Sequence, residues 1–357
     1  MTKLSILFNN ISILTSYNLD LPYSLRQLGV RVYVDIEHPI LLLHYLYEHI
    51  NSNIKLDVIP YLSKLKPLVP RIISKVDVIH LNAWNRGITE IARQRSKPVI
   101  FVLHAAPFDK EFYREISDYV DVFVAPSIFT FNQERDKIGG KKIVIIHHGV
   151  NRKLFNESIP REEARKILGL PRDSKVILWN DRISPEKDIT TFIKASETLL
   201  KTRSNIFVYI KGRAVNKDYY SRIENSLRKL MKTGRAKIHI GWIPHSKLPI
   251  LYRAADVFVR ASLYETFGLG VIESMACGTP VIAPNTATFP EIIPYTQMLF
   301  RPGDPNDLVN KILGAIDNPE FYQELVKISL ETAQKKFDMT ITANKYVRLY
   351  LELMGKI

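Results

Sequence analysis

Residues 261–291 read ASLYETFGLGVIESMACGTPVIAPNTATFPE. An extended apolar segment, Ala255 to Arg260, runs into a loop carrying Glu265, and a turn of small residues follows. Thr266, Phe267, Gly268, Leu269 and Gly270 then open a helix whose first N–H groups lack intrahelical partners; together with the positive end of the dipole they suit an anion. Gly268 and Gly270 carry no side chain that would hold a phosphate off the backbone. Glu273 comes about one turn further in. A carboxylate set against a diphosphate repels it, so the two acids are better assigned to hydroxyl groups on either side: Glu265 to a sugar, Glu273 to a ribose. A nucleoside diphosphate sugar offers both. Two glutamates at this spacing alone usually decorate a solvated helix face, and it is the whole run that carries the reading.

The stretch Glu265-x7-Glu273, continued by Ala276-Cys277-Gly278-Thr279-Pro280-Val281-Ile282-Ala283 and Glu291, resembles the signature of retaining glycosyltransferases of family 4. The resemblance implies an α/β protein of the GT-B fold, with two Rossmann-like domains facing across a cleft and a C-terminal helix crossing back to the first domain. Mapped on this sequence, residues 1–160 form an acceptor domain and 172–338 a nucleotide-sugar domain. Residues 339–357 form the returning helix.

A chain of 357 residues is long for a single domain and suits two, each able to bury its own core. The single cysteine, Cys277, excludes an internal disulfide framework. No secretory leader opens the chain, and the longest apolar run, Pro39 to Tyr47, is too short to span a bilayer. The expectation is a cytoplasmic protein. A net charge of +14 favours phosphates, anionic lipid or nucleic acid without choosing among them. The bases cluster between residues 51 and 100. There the segment Tyr61 to Lys75 mixes apolar residues with Lys64, Lys66, Arg71 and Lys75, as an interfacial segment would, although Pro67 and Pro70 prevent one continuous helix. Peripheral contact with an anionic membrane and a plain solvated face both fit this segment.

The first half alternates apolar strands with helical segments. Strands are expected at Leu4 to Phe8, Val30 to Ile36, Ile54 to Ile59, Val76 to Leu81, Val99 to Leu103, Val120 to Ala125 and Ile143 to Ile146, with a helix at Leu19 to Leu28 ended by Gly29. Such alternation gives a parallel sheet whose binding residues gather at the carboxyl ends of its strands. The second half repeats the pattern at Val176 to Trp179, Ile206 to Ile210 and Ile238 to Ile240, with a helix at Lys247 to Ala254 and helices from Pro302 to the end, the last at about Thr340 to Met354.

The remaining site assignments follow from the resemblance. After the first strand the family commonly has a glycine-rich loop, whereas this chain has Asn9-Asn10-Ile11-Ser12. Asp77-Val-Ile-His80-Leu-Asn82 is similar to a family strand with histidines at its tip, Asn82 replacing the second; neither residue is assigned a catalytic role. His104, just beyond a buried strand, matches a histidine that contacts the transferred sugar. Ser127 caps a helix and is architectural. In Ile143 through Phe155, His148 and Asn151 stand where the family usually has Asn and Asp. Arg182 and Lys187 match an Arg and Lys that clamp the diphosphate, so that a leaving group gaining negative charge is stabilised without a metal. Gly212 allows close backbone approach. Trp242 and Ile243 lie in a loop that packs against the base, with Trp242 also readable as a core residue.

The resulting site has His104, Glu265, Arg182 and Lys187 in catalytic roles. Donor binding falls to Arg182, Lys187, Gly212, Trp242, Ile243, Glu265, Phe267, Gly268, Leu269 and Glu273. No cofactor and no metal are expected: the histidines show no ligand spacing and no Asp-x-Asp occurs. The implied reaction moves a hexosyl group from a UDP- or GDP-linked donor to a glycan, lipid or other small acceptor, with retained configuration. The sequence leaves open a covalent or a front-face path. Two other classes remain: a GT-B epimerase or hydrolase of sugar nucleotides, and a basic nucleic-acid-binding protein, the latter without any recognisable binding module.

Overall fold

A computed structural model describes residues 4–9, 16–36, 56–65 and 67–357. The turn at Asn10 to Ser12, the apolar run Pro39 to Tyr47, the first residues of the strand expected at Ile54 to Ile59, and Lys66 lie outside the described residues. The chain divides into two compact units, Met1–Asn151 with Phe337–Ile357, and Arg152–Lys336.

The first unit is built on seven parallel strands, β1 (Ser5–Asn9), β2 (Arg31–Ile36), β3 (Asp57–Pro60), β4 (Val78–Leu81), β5 (Val99–Val102), β6 (Val122–Ala125) and β7 (Lys142–Ile145), in the order β3-β2-β1-β4-β5-β6-β7. Their short β-branched and aromatic runs suit strands buried on both faces. The core on one side of this sheet joins Leu7, Ile79, Phe101 and Phe123 to Ile72, Ile73, Ile88 and Tyr113 from the helices. The order reverses between β1 and β4, the point at which ligands settle in doubly wound sheets. There Asn9 ends β1, and its carbonyl accepts a bond of 3.0 Å from Asn82 Nδ2 at the end of β4.

The first helix runs from Ser16 to Gln27, three residues ahead of the expected start, and Gly29 at φ 84° closes it in the left-handed region. The last helix, Met339–Leu353, is capped by Asp338, whose Oδ1 accepts from Thr340 N at 2.9 Å. It packs on the first helix through Tyr346 and Tyr17. A Cβ on Gly149 would stand 2.5 Å from the Met339 Cα, so only glycine admits the backbone that leads into this helix. The basic segment is a single turn, Leu62–Lys64, followed by the helix Val69–Lys75. Val69, Ile72 and Ile73 point into the core, so these apolar residues of the segment take no part in its surface. Lys64, Leu65, Arg71 and Lys75 remain exposed.

The second unit carries six parallel strands, β8 (Lys175–Ile183), β9 (Ile206–Ala214), β10 (Ala236–Ile240), β11 (Val257–Val259), β12 (Val281–Pro284) and β13 (Leu299–Phe300), ordered β10-β9-β8-β11-β12-β13. β8 and β9 are twice as long as their apolar runs suggest. They stay paired past the core, with Asn180 opposite Lys211, Asp181 opposite Gly212, Arg182 opposite Arg213 and Ile183 opposite Ala214. Beyond β8, Pro185–Lys187 form one 3-10 turn. Asp188 at φ 38° then starts the helix Ile189–Thr202, its carboxylate accepting from Thr191 N at 3.3 Å.

Candidate functional site

The long pair β8–β9 decides where the cations of the second unit sit. Alternation along a strand puts Arg182 with Lys211 and Arg213 on one face of the extension, a row of three positive side chains. Arg182 and Arg213 are exposed, and Lys211 is 8% exposed. Burial, followed by the nearby Arg213, pushes the Lys211 amine below its ordinary value, while Asp181 opposes that shift. Like charges crowded at a strand end repel one another, and an anion bound among them relieves the repulsion. The Arg182 guanidinium has an exposed ion pair with Glu186 at 3.7 Å.

Lys187 is a different kind of cation. It is 4% exposed, held in the 3-10 turn, and its Nζ lies 2.5 Å from Glu265 Oε1 and 3.8 Å from Asp181 Oδ2. Arg260, the residue after β11, reaches the same Glu265 oxygen at 2.6 Å and Asp181 Oδ2 at 2.8 Å. Ser262 Oγ adds a hydrogen bond of 3.2 Å to Glu265. Burial alone would raise the Glu265 carboxyl, but Arg260 and Lys187 outweigh it and hold the group down to about 2. Glu265 is therefore a fixed anion at neutral pH. Sequence reading found Lys187 and Glu265 but missed Arg260 and Asp181, since a lone Arg at the end of an apolar run looks like surface charge. Lys211 and Arg213 were passed over as cations for the same reason.

The helix Leu269–Ala276 begins where the motif reading puts it, with Gly268 before it at φ 86°. That left-handed backbone explains the glycine. Gly270 needs a correction: an added Cβ would stand 3.1 Å from the Tyr252 hydroxyl and 3.6 Å from Phe258 and Arg260, so its bare face turns toward protein. Gly212 is similar, with Ile183 Cδ1 only 2.6 Å from an added Cβ. Its glycine serves packing of the β8–β9 extension. Phe267 is buried and Leu269 half-buried. Glu273 is 5% exposed and accepts 2.8 Å from Tyr252 Oη. Ile243 is half-buried, and Trp242, 50% exposed, is no core residue.

In the first unit His104 follows β5, half-buried, its Nε2 3.0 Å from Asn82 Oδ1. An amide oxygen only accepts, so the imidazole proton sits on Nε2. Burial pushes this imidazole down to about 3, leaving it neutral. Its ring centroid is 4.7 Å from that of Tyr17 and 5.1 Å from that of His148. His80 lies deeper, between Tyr350 Oη at 2.6 Å from Nδ1 and Tyr17 Oη at 2.9 Å from Nε2. Tyr17 Oη donates in turn to Tyr346 Oη at 2.9 Å. The proton order is thus Tyr350 to His80, His80 to Tyr17, Tyr17 to Tyr346, which requires a neutral imidazole. His80 ties the last helix to the sheet. Ser127 accepts from Thr130 N at 3.0 Å as the helix cap, and Asn151 Nδ2 donates to Asp20 at 2.9 Å. Among the described residues no three His, Cys, Asp or Glu side chains come together as a metal site, and no helix is long and apolar enough to cross a membrane.

Residues 160–331 match the glycosyl transferases group 1 and residues 19–154 match glycosyltransferase family 4. The chain belongs to this family of glycosyltransferases, and its fold is GT-B. An uncharacterised glycosyltransferase of Methanocaldococcus jannaschii is 25% identical over 80% of this chain and 78% of its own. The alpha-monoglucosyldiacylglycerol synthase of Acholeplasma laidlawii is 24% identical over 83% and 79%. Among solved structures, Anabaena HepE in complex with UDP and glucose superposes with a TM-score of 0.78 at 21% identity, covering 98% of this chain and 99% of that one.

Proposed function

We propose that the chain is a retaining, metal-independent hexosyltransferase that takes a UDP- or GDP-linked sugar. The observation that carries this reading is the close Lys187–Glu265 pair, in the turn that follows the strand end bearing the cationic row Arg182, Lys211 and Arg213. Lys187, Arg182 and the backbone at Phe267, Gly268 and Leu269 hold the diphosphate. Glu265 contacts the sugar, and Glu273, oriented by Tyr252, takes the ribose hydroxyls. Gly212, Trp242 and Ile243 border the base. As the glycosidic bond breaks, charge grows on the leaving diphosphate, and fixed cations stabilise it more in the transition state than in the bound donor.

His104 contacts the transferred sugar as a neutral hydrogen-bonding group. A neutral imidazole orients a hydroxyl without adding charge to an oxocarbenium-like centre, which a cation would destabilise. The acceptor is a glycan, lipid or other small molecule, and a relative named for a glucosyldiacylglycerol product makes lipid worth testing first. Contact with an anionic bilayer would rest on exposed Lys64, Arg71, Lys75 and Leu65.

A donor screen tests the reading. UDP-glucose, UDP-galactose and GDP-mannose are incubated with chelator and with diacylglycerol or soluble glycans, and released nucleotide is measured. One donor should release nucleotide in an acceptor-dependent way. Release without acceptor dependence points to a hydrolase, and strict dependence on magnesium removes the metal-independent mechanism. The anomeric configuration of the product, read by NMR, decides retention.

A further inference from the structure

Arg260 has no task in the donor chemistry set out above, yet it is the most enclosed guanidinium of the site, 9% exposed. Its Nη1 reaches Asp181 Oδ2 at 2.8 Å and the Asn180 carbonyl at 2.9 Å, and its Nη2 reaches Glu265 Oε1 at 2.6 Å. Its buried Nε has no hydrogen-bond partner among the described residues. One Glu265 oxygen is therefore shared by two cations, Arg260 and Lys187, and one Asp181 oxygen lies near both. Two carboxylates and two cations make a neutral group.

A buried carboxylate binds its only counterion tightly, because separation in a low-dielectric site leaves both charges exposed to each other's loss. If Lys187 were the sole partner of Glu265, it could not leave for a phosphate. The guanidinium fork holds both carboxylates at hydrogen-bond distance, 2.6 and 2.8 Å, whereas the Lys187 ammonium is that close to Glu265 alone. We propose that Arg260 is a positioning residue that carries the countercharge of Glu265 and Asp181, so that Lys187 can turn from Glu265 to the donor diphosphate. The inference rests on the nucleotide-sugar reading of the site. It explains how Lys187 can pair with Glu265 and still serve an anion: the site keeps a spare cation for the carboxylates. Asp181 belongs to the device, since it holds Nη1 of the fork while Glu265 holds Nη2.

The test follows UDP and GDP binding by calorimetry in the full chain across pH 5 to 8, always relative to the native protein so that titration of the nucleotide cancels. Arg260→Met should weaken binding roughly tenfold to a hundredfold, the cost of losing one charge-assisted contact. Adding Glu265→Gln to Arg260→Met should restore much of the affinity, because a neutral amide releases Lys187. Lowering pH should act in the same direction on Arg260→Met alone, and Arg260→Lys should rescue in part. A merely structural defect would not be repaired by a second substitution or by acid. Should Arg260→Met fold poorly, Asp181→Asn with Arg260→Met removes one charge of each sign and should show the same loss.

Unchanged affinity in the folded variants, or a loss that Glu265→Gln does not relieve, overturns the proposal. The titration of the Glu265 carboxyl, followed by carbon-13 NMR without nucleotide, separates this from the wider reading. Native protein that binds neither UDP nor GDP defeats the nucleotide-sugar reading, while an upward move of the Glu265 titration in Arg260→Met still upholds Arg260 as its counterion. No movement there overturns that role as well.

Discussion

Each unit buries a polar cluster, and the two are made differently. In the first unit Tyr17, His80, His104, His148, Tyr346 and Tyr350 are joined by ring contacts and hydroxyl–imidazole bonds, with no formal charge at neutral pH. In the second, Asp181, Lys187, Arg260 and Glu265 carry four charges that sum to zero. Neutral groups are cheaper to bury once hydrogen-bonded, and they suit a cluster whose work is to seat the last helix. Buried ions contribute little net stability against an apolar replacement. Their proposed use is chemical: to hold charge in place for an incoming anion.

The largest expected effect breaks the ionic cluster. Lys187→Ala should lower turnover about 30- to 1,000-fold, corresponding to roughly 2 to 4 kcal/mol of lost stabilisation of the leaving group. Arg182→Ala should do less, because Arg182 is exposed and only loosely placed. Steady-state nucleotide release checks both, with folding verified by circular dichroism. Near-native turnover of Lys187→Ala would take the lysine out of the site.

Next in size is a split between the two glutamates. Glu273→Ala should weaken UDP binding, whereas Glu265→Ala should leave nucleotide binding nearly intact and impair use of the intact sugar donor. Equal losses in both measurements would end that division of labour.

The neutral cluster should respond in stability rather than in ligand binding. Tyr17→Phe strips a partner from His80 and Tyr346 in a dry site, a loss of about 1 to 3 kcal/mol, read by urea unfolding. UDP affinity should stay unchanged. A drop in affinity instead would mean that the two clusters are not separate in function.

The clusters also part company with pH. Burial holds His80, His104 and His148 below the ordinary imidazole value of 6.5. The unfolded chain therefore takes up protons that the fold refuses, and the first unit loses stability as pH falls from 6.5 toward 3. Glu265 is depressed, so its contribution is present above the ordinary carboxyl range and fades only as pH falls toward 2. Variants retaining only Trp84 or only Trp179 report the two units by fluorescence, and Trp84 should respond at the higher pH. The smallest effect is at the surface. Neutralising Lys64, Arg71 and Lys75 should abolish any salt-sensitive sedimentation with anionic vesicles, each residue contributing about 1 kcal/mol.

The sheets were largely legible because strands such as Val99–Val102 and Val122–Ala125 are apolar runs bounded by polar turns. β12 was read as part of the run 261–291 rather than as a strand, and β13, two residues long, is too short to show a period. The polar ends of β8 and β9 were also hidden, because Asn180 to Arg182 and Lys211 to Arg213 read as loop until their pairing is seen. Of the candidate site, the helix start and both glutamates were proposed from the whole run 261–291. Arg260 and Asp181 lie about eighty residues apart, and only the fold brings them together. Glycines add a second meaning in the same way: Ile183 and Tyr252 crowd Gly212 and Gly270, a packing reason that only the fold reveals.

The central claim is that the ionic cluster of the second unit receives a nucleoside diphosphate without a metal. Calorimetric titration of the full chain with UDP and with GDP, in chelator, tests it most directly when repeated on Lys187→Ala. Saturable binding of one nucleotide by the native chain, weakened at least about tenfold in the variant, is the predicted result. Binding that needs magnesium, or that is equally tight without Lys187, would contradict it.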